Sequence, residues 1–168
     1  MFSGFRRARA DLATMNILLP AAERIAAADG VAEPGAEHLL LAALDLPDGV
    51  AAAALATVGV DRTRLHRAIR AQHAAALRSV GVIADDAVLD ARLPPPTTPT
   101  GPYRSQGSLQ DTFQRATGMA KQSGSPLGSG HVLLAVLELE YGTLTRTFDD
   151  LSVDREALGA SMRAELDA

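Results

Sequence analysis

Residues 35–46 read GAEHLLLAALDL, and residues 128–139 read GSGHVLLAVLEL. Sliding the chain along itself by 93 residues lays one on the other without a gap. Gly35 then meets Gly128, His38 meets His131, Leu40 meets Leu133, Leu41 meets Leu134, Ala42 meets Ala135, Leu44 meets Leu137 and Leu46 meets Leu139. The register continues: Gly49 pairs with Gly142, Val60 with Val153, Asp61 with Asp154, Arg62 with Arg155 and Leu65 with Leu158. A fixed offset of this length marks one supersecondary unit used twice, because a small unit buries its apolar face only by packing on its copy.

Within each copy the pattern is helical. In EHLLLAAL and GHVLLAVL the apolar side chains wrap most of the circumference, which predicts a short central helix buried on nearly every side. The next segments, residues 49–60 and 142–153, open on a glycine and place Leu55 and Val58, or Phe148 and Leu151, three apart on one face. Asp61 and Asp154 are expected N-caps of the following helices, with Val60 and Leu65, or Val153 and Leu158, at the positions of a hydrophobic staple. Ahead of the central helices, residues around Met15–Ala28 and Leu109–Gln122 also suit helix, and Pro20 starts, kinks or interrupts the first of them. The whole reading gives an all-α chain of about eight helices.

Between the copies, residues 91–107 read ARLPPPTTPTGPYRSQG, where the prolines remove amide donors and block helix. The expected organisation is a first repeat over residues 1–83, a Pro-rich linker or loop over 84–107 and a second repeat over 108–168, the repeats together forming one compact domain. Asp85, Asp86 and Asp90 lie just ahead of the prolines, where a short helical extension is one option.

Composition narrows the function classes. The chain has 168 residues, is 47% hydrophobic and lacks Trp, so its core is aliphatic. Its formal charge is -4, and its only Lys is Lys121, which gives no general attraction to nucleic acid or anionic membrane. No Cys is present, which excludes disulfides, thiolate zinc sites and thiol nucleophiles. No stretch approaches the ~20 apolar residues of a membrane span, and a cytoplasmic location is expected. No G-x-x-x-x-G-K-[ST] loop occurs, so nucleotide phosphates have no cradle.

The segments Gly35-Ala36-Glu37-His38-Leu39-Leu40-Leu41, Asp48-Gly49-Val50-Ala51 and Gly59-Val60-Asp61 resemble the repeat of the Clp N-terminal domain family, the amino-terminal module of Clp unfoldases. Each family repeat reads approximately G-T-E-H-[IL]-L-L-x-[LA]-L, then E-G-x-A, then L-G-[VI]. The opening Met1-Phe2-Ser3-Gly4-Phe5 with Arg7-Ala8-Arg9 is similar to the start of the ClpC branch. The resemblance implies a pseudo-twofold bundle of two four-helix repeats that docks protein clients, Clp ATPase or protease components, or small ligands, with no enzymatic activity and no cofactor.

It also implies candidate ligands. In the ClpC branch the Glu of each motif pairs with the guanidinium of phosphorylated arginine, and Glu37 holds that position here. The second copy departs from the pattern, with Gly130 in place of the Glu and with Ala36 and Ser129 in place of the threonines, which leaves one degenerate site. A structural role for Glu37 is a favourable charge at a helix N-terminus. Phe2, Phe5 and Tyr103 are candidates for a groove that takes a small cyclic peptide in some relatives.

From the residues themselves, Arg62, Arg64, Arg67 and Arg70 form a basic stripe. Its default reading is a solvated face, and its functional reading an anionic partner surface at Arg62, Arg67 and Arg70. His38 and His131 share one repeat position, which argues for a helix-start or packing role over acid-base catalysis. His66 and His73 stand about two turns apart, without the further ligands that a metal site needs. The expected function is therefore an adaptor or decoy for clients of a ClpC-type unfoldase. The alternative, a helical DNA-binding regulator, is opposed by the acidic balance.

Overall fold

The computed structural model describes residues 2–79 and 105–166, with side chains from residue 6 onward in the first stretch. Residues 84–104 of the predicted linker, with Asp85, Asp86, Asp90 and Tyr103, lie outside the described residues, and its last position, Gly107, already begins a helix. Within them the chain is all helical, and the eight helices fall into two sets of four: α1 Phe2–Ala28, α2 Ala36–Ala43, α3 Val50–Thr57 and α4 Arg62–Ser79, then α5 Gly107–Ser123, α6 Ser129–Leu137, α7 Thr143–Asp150 and α8 Arg155–Leu166. Shifted by 93 residues, α3 falls on α7 from end to end.

The central helices α2 and α6 are buried at every position, as their all-round apolar pattern requires. They pack on each other, with α1 laid along α2 and α5 along α6. Two layers of core result. In one, Leu40, Leu41, Leu55, Leu65 and Ile69 of the first copy meet Leu133, Leu144, Phe148, Leu158 and Met162 of the second. In the other, Leu18 and Ala22 of α1 and Leu39 of α2 meet Leu109, Ala116 and Val132. Each layer draws on both copies, so neither copy completes a core by itself.

Local chemistry sets the helix ends. Asp61 Oδ1 accepts the amide of Arg64 at 2.7 Å, and Asp154 Oδ1 accepts that of Ala157 at 2.9 Å. Both are the N-caps that the sequence predicts, and the staple residues Val60, Leu65, Val153 and Leu158 are all buried. Gly49 and Gly142, which start α3 and α7, adopt φ of 64° and 121°, a region that penalises any side chain.

Helix α1 runs unbroken through Pro20 and begins near the chain start, well ahead of the predicted Met15. A proline in a helix interior costs about 3 kcal/mol in isolation. Here Leu18, Ala22 and Ala26 are buried beside it, and packing overrides local propensity.

The copies are also cross-tied by polar contacts. Asp48, in the turn after α2, accepts the Ser129 amide at 2.8 Å and its hydroxyl, so a first-copy carboxylate caps α6. The Ser129 hydroxyl in turn accepts the Ala51 amide at 3.0 Å. In the other direction, the Gln106 amide, at the start of α5, donates to Pro34 O at 3.0 Å. Asp11 and Thr14 of α1 hold the Leu127 backbone ahead of α6 at 2.7 and 3.1 Å. Among the described residues no helix is long and apolar enough to cross a membrane.

Candidate functional site

The repeated histidines cap the central helices. Gly35 N–H donates to His38 Nδ1 at 3.0 Å, and Gly128 N–H donates to His131 Nδ1 at 3.2 Å. This is the reverse half of a capping box, made by a ring nitrogen at N3. An Nδ1 that accepts carries no proton, so both rings are neutral with the hydrogen on Nε2. Burial holds both below the ordinary histidine value, against an upward pull from Glu37 and Asp29 on His38, and from Asp48 and Asp11 on His131.

A carboxylate also sits over each of these helix starts, and the preceding glycine makes room for it. A Cβ on Gly35 would lie 2.7 Å from Glu37 Oε2, and one on Gly128 would lie 2.6 Å from Asp48 Oδ2. Glu37 therefore folds back over its own amide. It is 5% exposed and meets His73 Nε2 at 3.2 Å. Burial alone would raise its carboxyl, but the His73 bond, the bond from its own amide and the nearby His38 and His73 together bring it below the ordinary value.

A second pair lies alongside. Asp29, at the end of α1, takes His66 Nε2 at 2.9 and 2.8 Å on its two oxygens. His38 Nε2 lies 3.8 Å from Asp29 and has no hydrogen-bond partner, although the ring is fully buried. Four of the five groups pair off, Asp29 with His66 and Glu37 with His73, instead of converging on a point, and the described residues contain no His, Asp and Glu group arranged to hold a metal ion.

The cluster forms one wall of an open groove of about 1160 Å³ between α4 and the α1–α2 turn. His66, Arg67, Arg70, His73 and Arg78 of α4 line it, facing Asp29 and Val31.

With this geometry in place, comparison with known proteins fixes the family. The sequence model of the Clp repeat (R) N-terminal domain matches residues 13–146, most of the chain. The chain belongs to the Clp repeat (R) N-terminal domain family. Two solved structures share the fold. One, from a malarial protein secretion system, superposes with a TM-score of 0.60 at 19% identity over 92% of each chain. The other, the N-terminal domain of the caseinolytic protease associated chaperone ClpD from Arabidopsis thaliana, gives 0.56 at 14% identity, covering 95% of this chain and 93% of that one. No curated protein sequence matches significantly.

The two Clp repeats differ sharply at this cluster. At the 93-residue offset, Gln122 replaces Asp29, Gly130 replaces Glu37, Gly159 replaces His66 and Leu166 replaces His73, while the histidine cap is kept. A Cβ on Gly130 would meet Val50 Cγ1 at 2.9 Å, Met162 Cε at 3.0 Å and Leu166 Cδ2 at 3.2 Å. At the place of Glu37 the second Clp repeat thus packs hydrocarbon, while Gln122, His131, Glu138 and Arg163 line a smaller groove beside it.

The structure brings together only part of the sequence-derived set. Glu37, Arg67 and Arg70 fall on the cluster and its groove. Arg62 points elsewhere, its Nε 2.8 Å from Asp45, and Arg64 donates to Gly59 O at 2.8 Å. Phe2 and Phe5 occupy the first turns of α1 by their backbone alone. Asp29, and the pairing of His66 and His73 with carboxylates, are additions that the structure makes to the Clp repeat site.

Proposed function

We propose that this chain is a non-enzymatic protein-interaction module of the Clp system, which engages clients or ligands that a ClpC-type unfoldase would otherwise bind. The observation that carries the proposal is the difference between the two Clp repeats. One fold unit is built with and without the Asp29, Glu37, His66 and His73 set, so the fold does not require those four polar groups. As an adaptor the chain also contacts the unfoldase, whereas as a decoy it only competes for the client.

For phosphorylated arginine, Glu37 is the one carboxylate at the expected repeat position. It is held ionised, as guanidinium pairing needs, but it is covered by His73. Binding there requires Glu37 to exchange His73 for the guanidinium, which makes the site single and weak. Titration calorimetry with free phosphoarginine and with arginine, on the native chain and on Glu37→Ala, tests this reading. Saturable heat with phosphoarginine alone, lost in the variant, is the expected result. Absence of heat from the folded chain overturns phosphoarginine recognition and leaves direct protein docking.

A further inference from the structure

We propose that the groove between α4 and the α1–α2 turn docks an acidic stretch of a protein partner in which carboxylates alternate with an aliphatic residue. The inference deepens the reading as a protein-interaction module and rests on it.

Among the described residues, the exposed charged side chains that line the groove are all arginines. Arg67, Arg70 and Arg78 are exposed on α4, and His66 and His73 are half-buried between them. The acid that lines it, Asp29, has a side chain 4% exposed and already bonded to His66, so it lies beneath the surface that a ligand would meet. Glu37 lies deeper still, behind His73. A ligand therefore meets guanidinium and imidazole groups spaced along about three turns of helix, a spacing that suits several carboxylates on one segment.

Aliphatic surface runs between the cations. Val31, Ala71, Ala74 and Leu77 line the same groove, and Leu77 is 39% exposed. An exposed leucine flanked by arginines fits an apolar side chain set between acids, with charge fixing register and burial adding contact. The chain as a whole is acidic, at -4, which opposes a long polyanion such as nucleic acid and leaves a local, short-range match as the favoured partner. The second repeat serves as an internal comparison. At the positions of His66, Arg67 and His73 it carries Gly159, Ala160 and Leu166, with Arg163 at that of Arg70, so helix packing in this fold does not call for His66, Arg67 and His73.

The test is fluorescence anisotropy of a labelled peptide repeating Glu-Leu-Glu-Gly, titrated with the full chain. Saturable binding that weakens with added salt is expected. It should loosen by roughly tenfold or more in an Arg67→Glu, Arg78→Glu double variant and stay within about twofold in Arg146→Glu, an exposed arginine on α7. An Arg67→Gln, Arg78→Gln variant gives the same reading if the charge reversals impair folding. Equal binding by a folded double variant overturns the proposal, as do absence of saturable binding and tighter binding of the matching Lys-Leu-Lys-Gly peptide. Displacement of the peptide by an oligonucleotide at lower concentration than by unlabelled peptide assigns the groove to nucleic acid instead. Phosphoarginine calorimetry on the double variant, whose Glu37 is intact, separates failure here from failure of the Glu37 site.

Discussion

A neutral imidazole that accepts the amide of its own N-cap glycine starts each central helix, through His38 and His131. Protonation removes that acceptor, and burial opposes it, so both rings bind a proton less readily in the folded chain than in the unfolded one. The sign follows from linkage. A depressed histidine value gives stability that is complete above the unfolded value of about 6.5 and is lost as pH falls below it. Glu37, also held low, adds a loss in the same direction as pH falls through the carboxylate range. Urea midpoints should therefore decline from about pH 6.5 downward, and His131→Gln should flatten the upper part of that decline. A midpoint that stays level between pH 7 and the onset of carboxylate titration, at about 4.5, contradicts the neutral-cap assignment. Much of this was legible in sequence, because repetition at one helix-start position points to capping. The Asp29–His66 and Glu37–His73 pairs were not, since they join residues 37 and 36 positions apart on different helices. A usable signal lay in the repeat itself: these four positions lose their ionisable groups together in the second copy.

At the scale of the element, the segments that follow Asp61 and Asp154 show how far local rules reach. Cap and staple lie within a few residues of each other, so the sequence places them correctly. Asp61→Ala and Asp154→Ala should each cost about 1 kcal/mol, read from urea denaturation, and the costs should add because the two caps share no partner. A loss below a few tenths of a kcal/mol at either site contradicts its cap. Helix α1 marks the opposite limit. Its passage through Pro20 is decided by the buried Leu18, Ala22 and Ala26, and no local rule reads that burial in advance. The basic stripe on α4 shows the same limit. Spacing groups Arg62 and Arg64 with Arg67 and Arg70, yet Asp45 and the Gly59 carbonyl engage the first two away from the groove.

For the whole molecule, the 93-residue offset makes the paired four-helix plan readable, because each repeat must bury its central helix against the other. The cross-ties were hidden, since Asp48 capping α6 is a contact between the copies. What the plan leaves free is asymmetry: two equivalent places, one holding carboxylate–imidazole pairs and one packed by Met162 and Leu166 at the position of Glu37. The central claim is that binding belongs to the first repeat. An amide-resolved NMR titration of the full chain with an arginine-phosphorylated, acidic model client tests it most directly. The largest shifts should fall on residues 29–38 and 63–78, with residues 122–131 and 155–166 little changed. Shifts centred on the second set, or spread equally over both, would contradict it.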